Sequence, residues 1–436
     1  MASHDEQWVP GFETRQIHAG EIIDSETRAR VTPIYQTAGH LFDSFDDGED
    51  RFAGRSPYRA YSRNDNPTNA VAGRRLADLE GGVDGIVVGS GQAAIAVALF
   101  ALASSGDHIL ATENLYEGTR EMFGGSLKRQ GLRVEYVDPN ASDEEWASKV
   151  TPKTRAIYTE SIPNPRNDLV DLERLAGIAH RAGVPLIVDS TVATPYLCRP
   201  IEWGADIIIH STSKWLAGHG SVIGGAIVDS GNFDWSANSE RFPQLTTAPR
   251  PGVPSFVERF GRSAYLAYLR TVVVLEYGPT VPPTSTFLLL QGIETLSLRM
   301  ERHVHNAQLV AEAISRHPAV SKIHYPGLKG DEYHQRSLKY FPLGAGSIVS
   351  IDLKGGRDAA RTFLDSLKLV SQMTHIGDVR SLAIHTGSTI HGKLTERERV
   401  RIGITPGLVR LSIGLETAAD IIADLRQALD AVAHSG

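Results

Sequence analysis

The sequence predicts an α/β fold: a large, mostly parallel sheet covered by helices on both faces, followed by a smaller α/β domain. Three observations carry this. From residue 71, short apolar runs alternate with helical stretches. The apolar runs are rich in Ile and Val and end in polar residues, as buried parallel strands do. A second set of strand and helix patterns follows residue 284. The chain of 436 residues is long enough for two domains and a substantial core.

Residues 1–70, rich in Gly, Asp, Arg and Pro without a sustained period, read as an N-terminal arm with short elements. Residues 71–283 read as the large domain. Its first strands are Gly85-Ile-Val-Val and His108-Ile-Leu-Ala-Thr, separated by an Ala-rich helix from Gln92. Leu132 to Val137 and Arg155 to Glu160 follow, with a helix between them that opens at Ser142-Asp-Glu-Glu145. Leu172, Leu175, Ile178 and Ala182 share one helical face, and Gly183 stops that helix. Val184 to Asp189, Asp206 to His210 and Ile223 to Asp229 complete a sheet of seven strands. Residues 231–283, dense in Pro, Arg and Phe, lose the rhythm and are read as an active-site loop leading into a connecting helix. The C-terminal domain, 284–436, opens on a long helix from Phe287 to Arg316. Strands follow at Ser347 to Asp352, Leu382 to His385 and Leu408 to Ile413, and a last helix starts at Thr417.

Composition narrows the function classes. A net charge of -7 gives no basic field for nucleic acid. No apolar run approaches the roughly 20 residues that span a bilayer. The polar, acidic start Met1-Ala-Ser-His-Asp-Glu-Gln-Trp lacks signal-peptide regions, so a cytoplasmic protein with no membrane role is expected. The single cysteine, Cys198, excludes an internal disulfide. The sixteen histidines form no His-Glu-x-x-His pattern, and no metal site is expected.

The chemistry is concentrated where strands end. Lys214 stands in His210-Ser-Thr-Ser-Lys-Trp, just past the run Asp206-Ile-Ile-Ile, and Asp189 closes the preceding strand. A lysine there can form an imine with a carbonyl compound, and an aspartate can keep a pyridine nitrogen protonated. The pair points to pyridoxal 5'-phosphate, whose ring takes up the electrons of a substrate carbanion. Gly89-Ser-Gly-Gln-Ala-Ala joins a strand to a helix start, where backbone N–H groups suit a phosphate. Tyr116 follows the next strand with a ring that could stack on a flat cofactor, and Asn164 sits in a Pro-flanked turn after another. Each taken alone is also what a glycine turn, a helix cap or a packed tyrosine looks like. Four strands delivering polar groups at one sheet edge favour a ligand site.

The chain resembles the cysteine and methionine metabolism family of pyridoxal-phosphate enzymes, of fold type I, and within it is most similar to O-acetylhomoserine sulfhydrylases. The resemblance runs from about Thr14 to the carboxyl terminus. It passes through Tyr61-Ser-Arg63-Asn-Asp-Asn-Pro-Thr, Asn114-Leu-Tyr-Glu-Gly-Thr, His210-Ser-Thr-Ser-Lys-Trp, Gly218-His-Gly and Val409-Arg-Leu-Ser-Ile-Gly-Leu-Glu. It implies that Lys214 holds the cofactor and shuttles protons, that Asp189 pairs with the ring nitrogen, and that Tyr116 stacks on the ring with a catalytic role. It further implies that Ser90, Gly91 and Gln92 amides with Ser211 and Ser213 hydroxyls hold the phosphate, and that Asn164 lies near the phenolic oxygen. Arg410, helped by Ser371, would clamp the substrate carboxylate. Tyr61 and Arg63 would reach the site of a neighbouring subunit, Tyr61 also touching substrate, in a homotetramer.

The implied reaction is γ-replacement on O-acetyl-L-homoserine by sulfide or methanethiol. A related γ-synthase or γ-lyase, a specialised enzyme with another donor or nucleophile, and a non-catalytic binding protein of the same fold are the alternatives. Related γ-synthases and lyases usually carry Ser-Leu-Gly-Gly where this chain has Ser371-Gln-Met-Thr-His-Ile-Gly-Asp. Gln92 replaces a common methionine, and Glu117 a common glycine. Glu117 is expected to point to solvent. Residues 277–287 and His385 to His391 also depart from the family's usual runs and are expected near the substrate.

Overall fold

Seven strands form the larger sheet: β1 (Asp84–Val88), β2 (His108–Thr112), β3 (Arg133–Val137), β4 (Thr154–Glu160), β5 (Leu186–Asp189), β6 (Ile207–Ser211) and β7 (Gly225–Asp229). The structure, a computed structural model, describes residues 9–56 and 59–435; the expectation placed on Met1 to Trp8 lies outside them. The strand order is β1-β7-β6-β5-β4-β2-β3. β3, β2, β4, β5 and β6 run parallel, while β7 is antiparallel to both its neighbours. β1 therefore runs in the same sense as β6, and six of the seven strands end at one edge. Strands such as β2 and β7 are buried along their whole length, which is why they read as unbroken apolar runs. Helices cover both faces. One core gathers Leu76, Trp146, Leu175 and Trp215, and the other Ile95, Tyr158, Trp235 and Tyr265.

The second sheet has five strands, β8 (Val320–His324), β9 (Ile348–Leu353), β10 (Ser371–Gln372), β11 (Leu382–His385) and β12 (Leu408–Ser412), in the order β10-β11-β12-β9-β8. The edge strands β8 and β10 escaped sequence reading. β8 is Val-Ser-Lys-Ile-His, with two exposed residues and no clean alternation, and β10 has only two residues.

Two expectations are corrected. The helix read from Phe287 to Arg316 is two helices, Pro283–Ile293 and Leu296–Ile314. The break at Glu294-Thr295 frees the Gly292 carbonyl, and the Arg299 guanidinium takes it at 2.5 Å together with the carbonyls of Trp215 and Leu216. Residues 231–283 are not an active-site loop of their own chain. Trp235, Phe242, Leu245, Tyr265 and Leu266 pack them onto the core beside the Gly91–Phe100 helix.

Candidate active site

At the shared carboxyl edge of the strands lies a cavity of about 380 Å³, closed on the other side by residues 373–376 and Arg410. Parallel β2, β4, β5 and β6 lie side by side, so the turns that leave them deliver Tyr116, Glu160 with Asn164, Asp189, and Ser211 to Lys214 to one place.

Lys214 lines the cavity, and burial, aided by Arg410, lowers its amine to about 8. A substantial fraction of neutral amine at neutral to mildly alkaline pH is what a lysine needs to attack a carbonyl or take a proton. Its Nζ lies 3.0 Å from Nδ1 of His375. The sequence reading did not name His375.

Asp189 is paired in register with Glu160 across β5 and β4. Burial raises both carboxyls, and Asp189 adds to the rise at Glu160. Two close carboxylates cannot both ionise cheaply. Glu160 accepts the Tyr116 N–H at 2.6 Å, while Asp189 accepts the Thr191 N–H at 3.0 Å, which counters its rise. A partly buried Asp189 of this kind suits a cationic ring nitrogen.

The opposite end of the cavity suits a phosphate. Ser90 caps the Gly91–Phe100 helix, its hydroxyl accepting the Ala93 N–H at 3.0 Å, which leaves the Gly91 and Gln92 amides pointing outward. A Cβ on Gly91 would lie 2.8 Å from that of Ser211, so only glycine lets helix start and strand end approach this closely. Ser211 and Ser213 line the same end, and the Ser213 hydroxyl accepts the Gly224 N–H at 3.0 Å. Gln92 Oε1 is buried without a partner among the described residues. Tyr116 is 42% exposed, its ring free to cover a planar ligand; a Cβ on Gly118 would stand 2.5 Å from that ring. The residues present therefore fit pyridoxal 5'-phosphate: lysine, partly buried acid, aromatic lid and helix-start phosphate cradle.

Arg410 projects from β12, fully enclosed, and burial lowers its guanidinium to about 10. It donates to Asn164 Oδ1 at 3.2 Å and to the carbonyls of Thr374 and His375 at 2.9 and 3.2 Å. Its Nε is buried without a partner among the described residues and suits a ligand carboxylate.

Other expected residues lie elsewhere. Ser371 is exposed on β10, outside the cavity, its N–H donating to the Ser381 carbonyl. Setting the family's Ser-Leu-Gly-Gly against His375-Ile-Gly-Asp would have singled out His375 instead. Tyr61 and Arg63 do not line the cavity of their own chain; the Arg63 guanidinium rests 5.4 Å over the Tyr61 ring. Glu117 is not solvated. It is buried against His391, 3.1 Å away, and joins the turn after β2 to the C-terminal sheet's loop. Tyr277 stacks on Phe100 at 5.0 Å, and the Pro279 carbonyl accepts the Gly89 N–H at 2.7 Å. That run props the cradle from behind without reaching the cavity. Thr191, Ile162 and Val192 also line the cavity and were not anticipated.

Comparison with known proteins bears on the family and its cofactor. The chain is 44% identical over 425 residues to the homocysteine synthase of Schizosaccharomyces pombe, covering 96% of this chain and 98% of that protein. It is 40% identical to an O-acetyl-L-homoserine sulfhydrylase of Corynebacterium glutamicum, covering 99% of each. A crystal structure from Campylobacter jejuni, assigned as an O-acetylhomoserine (thiol)-lyase and containing N'-pyridoxyl-lysine-5'-monophosphate, superposes with a TM-score of 0.92 at 35% identity, covering 96% of this chain and 99% of that one. The cystathionine gamma synthase of Xanthomonas oryzae pv. oryzae superposes with a TM-score of 0.84 at 28% identity, covering 98% and 100%. The family profile described as Cys/Met metabolism PLP-dependent enzyme matches residues 13–430, and the chain belongs to that family.

Proposed function

We propose that the protein catalyses γ-replacement on O-acetyl-L-homoserine, with sulfide as nucleophile, giving L-homocysteine and acetate; methanethiol in place of sulfide would give L-methionine. The observation that carries the reading is that Lys214 and Arg410 line one cavity. A base and a carboxylate clamp within one cavity suit an amino-acid substrate, in a chain similar along its length to O-acetyl-L-homoserine sulfhydrylases.

Bound pyridoxal phosphate supplies an electron sink that makes the Cα and then the Cβ proton of the substrate removable. Lys214 Nζ, with its amine near 8, takes and returns those protons. Asp189 holds the proton of the ring nitrogen by opposite charge. Gly91 and Gln92 amides, with the Ser90 segment and the Ser211 and Ser213 hydroxyls, bind the phosphate, and the Tyr116 ring covers the cofactor. Arg410 orients the substrate through its α-carboxylate. Ile162, Val192 and Ile376 exclude water along the cavity wall. Tyr61 and Arg63, which do not line their own cavity, complete the site of a second copy, and the assembly is a homotetramer.

The test is mass-spectrometric product analysis of the purified enzyme with O-acetyl-L-homoserine, with and without sulfide. Homocysteine formed only with sulfide supports the reading. Production of 2-oxobutanoate, or no turnover, contradicts it. Native mass spectrometry tests the assembly, for which a monomer would be the contrary result.

A further inference from the structure

His375 reaches the reacting lysine yet has no place in the roles above. Its Nδ1 lies 3.0 Å from Lys214 Nζ, and its Nε2 is buried without a partner among the described residues. Its backbone is pinned. The Thr374 and His375 carbonyls accept from Arg410, and the Gly377 N–H donates to Ser412 Oγ at 3.0 Å. The ring is thereby held at a fixed distance from the lysine by the same guanidinium that awaits the substrate.

Charge decides what the imidazole does. Burial first, then Lys214 and Arg410, push His375 down to about 4, with Asp378 opposing them; Tyr116, Glu160 and Asp189 face it from the other wall. Against a lysine near 8, a shared proton stays on the amine, so His375 is a poor proton store. It is a neutral acceptor, with the lone pair on Nδ1 and the hydrogen on Nε2. We propose that His375 is the positioning residue of Lys214: it accepts one N–H of the free ε-amino group, aims the rest of that group into the cavity, and ties this aim to Arg410 through the 374–375 carbonyls. The contact is open to the lysine only when Nζ is free of the cofactor, the stage at which it moves protons. The proposal rests on the reading of Lys214 as acid and base.

His375→Asn and His375→Leu test it. Asn Oδ1 stands near where Nδ1 was and accepts the same N–H; Leu fills the space and accepts nothing. His375→Leu is expected to lower kcat by roughly ten- to a hundredfold with KM for the amino acid within about threefold, and His375→Asn to recover most of the loss. In cofactor-free protein, the pH of half-maximal reductive methylation of Lys214, read by peptide mass spectrometry, should fall by about half a unit or more in His375→Leu and return in His375→Asn, because an acceptor stabilises the ammonium form. Equal behaviour of the two variants in the labelling experiment, or wild-type labelling in His375→Leu, would overturn the proposal. The labelling uses no substrate, so it stands even if O-acetyl-L-homoserine proves not to be the donor.

Discussion

The two walls of the cavity are built differently. On the large-domain wall, Glu160 and Asp189 end strands of one sheet and Tyr116 and Lys214 follow others, and the register of that sheet sets their spacing. On the C-terminal wall, Met373 to Ile376 hang between the two-residue β10 and β11, and Arg410 holds them by their carbonyls. The first wall is rigid because its backbone hydrogen bonds are sheet bonds. The second is held by that guanidinium together with the Met373 and Gly377 N–H groups, which donate to the Ala383 carbonyl and to Ser412 Oγ, so a ligand carboxylate at Arg410 acts on the 374–375 carbonyls. Chemistry belongs on the first, where a small displacement is costly, and recognition with adjustment of the lysine on the second.

The sharpest way to break this division is to remove the group on which the first wall depends. Lys214→Ala should reduce turnover by at least about ten-thousandfold while leaving the circular dichroism spectrum unchanged. Substantial residual γ-replacement would contradict the division. Arg410→Ala should act mainly on binding, raising KM for the amino acid by roughly ten- to a hundredfold, as loss of a charged bidentate contact does. A KM unchanged from wild type, in steady-state kinetics, would count against the recognition wall.

The seam between the walls gives a smaller effect. Glu117 and His391 are both buried, and Glu117→Ala leaves the imidazole without its acid, an expected loss of about 2–3 kcal/mol in chemical denaturation. The neighbouring Lys393–Glu121 pair is largely solvated, and Lys393→Ala should leave the denaturation midpoint where it was. Equal losses from the two variants would show that burial does not separate them.

The same division explains what was legible in the sequence. Lys214, Asp189 and the Gly89-Ser-Gly-Gln turn could be read because parallel strands announce their ends, and ligand sites gather there. Arg410 is an ordinary strand arginine in the sequence and became a candidate only through resemblance. His375 meets Lys214 across 161 residues and Glu117 meets His391 across 274, and no local period or spacing records such meetings. Ser371 became a candidate only through the resemblance, as a helper of Arg410. Pairing of β10 with β11, which carries Ser371 away from the cavity, is a tertiary event. The helix break at Glu294-Thr295 was hidden for a similar reason: the Arg299 that donates to the Gly292 carbonyl at the break lies inside the second helix and looks like any helical arginine.

The most direct test of the account is to reduce the cofactor-loaded enzyme with borohydride and map the modified peptide by mass spectrometry. The account predicts a single pyridoxyl group, on Lys214. A pyridoxyl group on another lysine, or none, would contradict it.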